Sequence, residues 1–85
     1  MIGPEERNFA KYTMSVTVRL TTVRAYRIRR FEQFGLLKPA RTEAGQRLYS
    51  DMDIELIREI VMLGKEGINL RGIKVILAMR RGQRE

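Results

Sequence analysis

Gly35 and Gly45 punctuate the middle of this chain and leave the residues around them few ways to fold. Glycine reaches positive φ without the strain a side chain brings. Before Gly35 runs Ala25 to Phe34, where Ile28 and Phe31 share one side of a helix and Leu36 can close over them. This spacing predicts a helix ended by a left-handed glycine cap. Beyond it, Leu37 to Tyr49 reads as a β-hairpin, with Lys38–Arg41 facing Gln46–Tyr49 across a turn at Glu43-Ala44-Gly45. Pro39 suits only an edge strand, which a two-stranded wing supplies.

The helix before the wing carries its charge on the outside. Rotating by 100° per residue from Ile28 puts Tyr26, Arg30 and Gln33 on the opposite side, with Arg27 and Arg29 on the flanks. The chain has 17 Lys/Arg against 10 Asp/Glu, a formal net charge of +7. Eight of the cations but only two acids, Glu32 and Glu43, lie between Arg19 and Arg47, so this segment holds +6 of the excess. Such a local excess points to a polyanionic partner. Arg can pair with guanine through O6 and N7, and Gln with adenine. The plainer alternative is a basic solvated face with no partner.

Elsewhere composition works by exclusion. The 85 residues make one small domain and include no cysteine and no histidine. Disulfides, the usual zinc, copper and iron–sulfur ligands, thiol nucleophiles and histidine acid–base chemistry are therefore unavailable. With no cofactor motif either, neither an enzyme nor a bound cofactor is expected. No apolar run approaches the ~20 residues of a membrane span, and Met1-Ile-Gly-Pro-Glu-Glu-Arg lacks the apolar core of a signal peptide. The expected location is cytoplasmic, with no membrane partner. Asp51, Asp53, Glu55 and Glu59 read as the acidic start of a helix rather than a metal site.

Residues 1–11 read as a flexible amino-terminal arm with a short helical turn at its end. Met14 to Leu20 is ambiguous. Met14, Val16, Val18 and Leu20 alternate with polar residues as in a strand, yet Ser15 could cap a short helix with Val16 and Leu20 on one face. Ser50, with Asp53 three positions on, predicts a capping box for a third main helix. Its stripe is Ile54, Ile57 and Val61 with Leu56, Ile60 and Leu63 alongside. Gly64 weakens that helix and Gly67 ends it. Asn69 caps a fourth, on which Leu70, Ile73, Ile76 and Leu77 share a face. Met52, Met62 and Met79 fit gap-filling core or helix-packing roles. Residues 79–85 form a polar tail.

The order of helix, Gly35-Leu36-Leu37-Lys38-Pro39, Arg41-Thr42 and Gly45-Gln46-Arg47-Leu48-Tyr49-Ser50 resembles the MerR (mercury-resistance-type) family of regulators over roughly Tyr12 to Leu77. Met14-Ser15-Val16 and Gly67-Ile68-Asn69-Leu70-Arg71-Gly72-Ile73-Lys74 are similar to its heat-shock repressor branch. The last of these segments is similar to the nitrogen-control branch as well. The resemblance implies a mainly α winged helix-turn-helix, with about four helices plus a two-stranded β wing, spanning residues 12–78. It settles Met14–Leu20 as the first helix of the motif and Thr21-Thr22-Val23 as the turn. It implies a transcriptional regulator, more readily a repressor, acting as a homodimer on an inverted repeat of double-stranded DNA. Residues 25–34 would enter the major groove and 37–49 would lie on the flanking backbone.

The residues this reading assigns to DNA are Arg24, Tyr26, Arg27, Arg29, Arg30, Gln33, Lys38, Arg41, Arg47 and Tyr49. Tyr49 has an equally good reading as a core ring, and Arg47 could instead pair with Glu32 to dock the wing. Two departures stand out: Thr22 replaces a glycine that many members have in the turn, and Arg30 replaces the first of two aromatic residues. The chain stops shortly after Leu77, with no room for an effector domain, so no small-molecule ligand is expected. RNA polymerase and a chaperone remain open as further partners. An architectural or excisionase-like DNA-bending protein and a transcriptional activator are the alternatives on the same fold.

Overall fold

The computed structural model describes residues 4–83. In chain order these form α1 (Pro4–Arg7), α2 (Met14–Thr21), α3 (Ala25–Gln33), β1 (Ala40–Arg41), β2 (Arg47–Leu48), α4 (Asp51–Lys65) and α5 (Leu70–Gln83). The fold is mainly α, with four main helices and one two-stranded antiparallel sheet. Helix α4 is the spine, with α1, α2 and α5 packed on it, while α3 packs on α2.

Helix α2 forms although its apolar residues alternate. Its buried face is Thr17 and Thr21, with Met14 and Val18 packed beside them, which is helical spacing carried by threonines. The Val16–Leu20 face expected from sequence is not the buried one: Leu20 is exposed and Val16 only half-buried. The cap also differs. Thr13 is extended and its hydroxyl accepts the Val16 N–H at 3.4 Å, so Thr13, not Ser15, caps the helix. Ser15 already lies inside the first turn. The far end is closed by the Arg58 guanidinium, which donates to the Leu20 carbonyl at 2.9 Å.

Helix α3 ends as the sequence predicts. Gly35 has φ +81°, its N–H reaches the Glu32 carbonyl at 3.0 Å, and Leu36 N–H reaches that of Phe31 at 3.0 Å. These paired bonds satisfy carbonyls that the helix end would otherwise leave bare. They also fold Leu36 back over Phe31, and both are buried.

The wing is shorter than expected. Its register pairs Ala40 with Leu48 and Arg41 with Arg47, so Lys38 and Pro39 lie outside the ladder. Leu37 and Pro39 are buried instead, and Pro39 has no N–H to donate. Tyr49 leaves the wing altogether and pairs with Tyr12, the residue that follows the arm. Its N–H donates to the Tyr12 carbonyl at 2.8 Å, and its carbonyl accepts the N–H groups of Lys11 and Tyr12, each at 2.9 Å. The helical turn predicted for the arm's end sits instead at Pro4–Arg7, and the end itself is extended against Tyr49.

Ser50 and Asp53 form the predicted capping box at the start of α4. The core gathers Ile28, Phe31, Leu36, Leu37, Tyr49, Ile57, Ile60, Leu63, Ile73 and Leu77. Each such side chain stabilises the fold by about 1.5–3 kcal/mol through burial. Three methionines read as core or helix-packing residues lie outside this core. Met52, Met62 and Met79 are exposed, at 43%, 64% and 60%. On α4 the inward row is filled by Ile54, Ile57, Ile60 and Leu63, and Met62, one position from Leu63, is turned about 100° away. Residues 79–83, read as a polar tail, continue helix α5. No described helix is long and apolar enough to cross a membrane.

Candidate nucleic-acid interface

The buried side of α3 dictates its exposed side. Ile28 and Phe31 anchor the helix at 0% and 2% exposure, which leaves Arg24, Tyr26, Arg27, Arg29, Arg30 and Gln33 in solvent. Arg24 stands at the N-cap without a side-chain cap bond, and the first turn contains no acid. The open N–H groups of that turn therefore sit among arginines, an arrangement that favours an anion. The Arg27 guanidinium lies 5.8 Å from the Phe31 ring centroid, which gives its long side chain an apolar support.

The arginines of α3 look two ways. Arg29 shares a cleft with Ser15 at the start of α2 and with Gln46 and Arg47 of the wing. Arg27 and Arg30 line a groove formed with Ile60, Ile68 and Leu70 at the α4–α5 turn. One helix thus links the wing on one side to the start of α5 on the other. Lys38 is exposed on the segment leading into the wing.

The wing is fastened to α3 by its one acid. Glu32 Oε2 accepts from Arg47 Nε at 2.6 Å, and Glu32 Oε1 accepts from Arg41 Nη2 at 2.9 Å. Arg41 Nη1 also donates to the Gly45 carbonyl at 3.0 Å, tying the guanidinium to the wing's own turn. The Arg47–Glu32 pairing considered from sequence is present. The Arg41 contact was not anticipated, although a lone acid on an arginine-rich helix could have signalled a shared partner.

Tyr49 is the one assigned residue that the structure removes from the surface. It is 0% exposed, so it is the core ring at the wing's root and not an exposed phosphate contact. Its hydroxyl lies 3.8 Å from Met14 Sδ. Burial raises its pKa above the ordinary 10.0, so the phenol stays neutral.

A second polar cluster, away from α3, fixes the arm. Tyr12 Oη donates to Asp51 Oδ1 at 2.6 Å, and Lys11 Nζ lies 3.0 Å from Asp51 Oδ2. The hydrogen bonds from Tyr12 and Lys11 hold the Asp51 carboxyl below its ordinary value of 3.8. Arg7 pairs with Glu55 further along α4. Among the described residues no group of three or more acidic side chains is placed to hold a metal ion.

Two packed helices across a tight turn, the second arginine-faced and followed by a two-stranded wing, define a winged helix-turn-helix domain. Its family is equally plain. The chain belongs to the MerR HTH family of regulatory proteins, whose pattern matches residues 12–80. It is 33% identical over 81 residues to the HTH-type transcriptional regulator GlnR of Bacillus anthracis, covering 95% of this chain and 63% of that protein. It is 41% identical over 69 residues to the putative heat shock protein HspR of Streptomyces coelicolor, covering 80% of this chain and 46% of that one. Among solved structures it is similar to HiNmlR, a MerR family regulator lacking the sensor domain and bound to promoter DNA. That match has a TM-score of 0.76 and 27% identity over 81% of this chain and 53% of the other. The chain thus spans between just under half and just under two-thirds of the length of these relatives. The family is one of transcription regulators, not enzymes.

Proposed function

We propose that this chain binds double-stranded DNA sequence-specifically and regulates transcription, with α3 in the major groove and the wing on the flanking backbone. The observation that carries the reading is the face of α3: six long polar side chains project from a helix whose other side is locked into the core. A rigid helix of this width suits the major groove, and its arginines and Gln33 suit base edges and phosphates. That HiNmlR, a similar regulator, is bound to promoter DNA supports DNA as the partner. Two copies would engage an inverted repeat, because a two-fold protein mirrors a palindromic site. Repression by occupancy of the promoter is the simplest consequence.

The test is selection of genomic fragments by the purified protein, followed by footprinting of the best fragment. A protected inverted repeat upstream of a gene is the expected result. Retention of all fragments alike would sink sequence-specific regulation and favour an architectural role. A reporter driven by the protected promoter should fall when the protein is supplied, and a rise would make it an activator.

A further inference from the structure

We propose that Glu32 is a specificity-determining residue of this interface: it aims the two wing arginines and withholds free positive charge from unselective phosphate contact. This rests on the DNA-binding reading above. Glu32 is the only acid on α3, and it faces the two wing arginines that the DNA-binding reading assigns to phosphate. Electrostatics alone would favour a neutral residue here. Yet its side chain is only 21% exposed, and both carboxylate oxygens are used, one by each wing arginine.

The two contacts have different geometry. Glu32 takes Arg47 by its Nε edge, and neither terminal nitrogen of Arg47 donates to a protein group among the described residues. That terminal edge is therefore held in one direction, ready for a phosphate oxygen at a fixed place. Arg41 is held at both ends, by Glu32 and by the Gly45 carbonyl. A carboxylate with two guanidinium groups resembles a phosphate in the same fork. DNA must then compete with Glu32 for Arg41, and only a duplex seated in the right register gains the full contact. A random duplex, held loosely, meets a wing whose charge is already partly satisfied.

The test uses Glu32→Gln, which keeps size and acceptor but loses the charge, and Glu32→Asp, which keeps the charge but withdraws it by one methylene. Binding is measured against a random duplex and against the duplex recovered by selection, across a salt series. Circular dichroism confirms folding at the temperature of the assay. Glu32→Gln should bind random duplex about 3- to 10-fold more tightly, with a log–log salt slope steeper by about 0.9. Its preference for the selected duplex should fall. Loss of the charge alone tightens binding to any duplex, so the decisive readout is preference: undiminished preference for the selected duplex in folded Glu32→Gln overturns the proposal, as does weaker or unchanged retention of random duplex. Glu32→Asp should keep wild-type affinity for random duplex and lose preference for the selected one. If Glu32→Gln does not fold, undiminished preference in Glu32→Asp overturns the proposal instead. A wild-type protein that retains no duplex at low salt overturns the DNA-binding reading and this inference with it. Wild-type binding without the Glu32 effects overturns this inference alone.

Discussion

At the scale of single residues, α2 carries two local conflicts that sequence identity makes testable. Thr17 is fully buried and its hydroxyl has no hydrogen-bond partner among the described residues. Desolvating a hydroxyl without replacing its bond is unfavourable. Thr17→Val keeps the shape and removes the hydroxyl, so it should raise stability by about 1 kcal/mol in urea unfolding. Thr21, one turn later, avoids this conflict because its hydroxyl donates to the Thr17 carbonyl at 2.8 Å. Thr22 follows in the left-handed region at φ +59°, which a β-branched residue rarely adopts. Its hydroxyl bond to the Thr21 carbonyl, 2.6 Å, offsets part of the strain. Thr22→Gly should stabilise the domain by about 0.5–1 kcal/mol, since relief of left-handed strain outweighs the greater freedom of glycine when unfolded. In a thermal melt that is a rise of a few degrees, roughly 2–8 °C. A lower melting temperature would mean that the hydroxyl bond, not the backbone, governs this turn.

At the scale of elements, what was legible in the sequence is what local chemistry fixes. The end of α3 could be read because Gly35 and Leu36 complete a cap within six residues of chain, from Phe31. The start of α4 could be read because Ser50 and Asp53 satisfy each other's backbone. The exposed face of α3 followed from the positions of Ile28 and Phe31 alone. Helix α2 was hard to read because its inward face is made of threonines, so hydrophobic alternation pointed to a strand. The sequence left Tyr49 open between core ring and phosphate contact, because the partners that bury it, Tyr12 and Met14, come from far along the chain. The same distance hid the junction of arm and α4, which predicts a pH dependence. Asp51 has a folded pKa below its ordinary 3.8. Its contribution to stability is therefore present above that value and lost as pH falls through the lower folded one. Acidification below about pH 4 should loosen the arm, seen as faster amide exchange at Lys11 and Tyr12. Asp51→Asn should flatten that dependence, and an unchanged profile in the variant would assign it to other carboxylates.

At the scale of the whole molecule, charge and shape make separable predictions. If about six phosphates are neutralised, the affinity for duplex should fall with a log–log salt slope near −5. Arg30, exposed on α3 and bordering the groove at the α4–α5 turn, should contribute to base discrimination. Arg30→Ala should lower affinity for the selected duplex about 10-fold or more, with a much smaller loss on random duplex. Equal losses on both would make it a phosphate contact. Tyr49 gives one further consequence, for the order of events. Its pairing with Tyr12 closes a long loop, and such contacts form late because chain entropy opposes them. Helix α3 is set by its own caps and by local packing, whereas the wing's root waits on the arm. In each folding event the reading helix should therefore be ready before its clamp. In each local opening the arm should peel away first, leaving α3 able to meet a groove while the grip on the backbone is still unset.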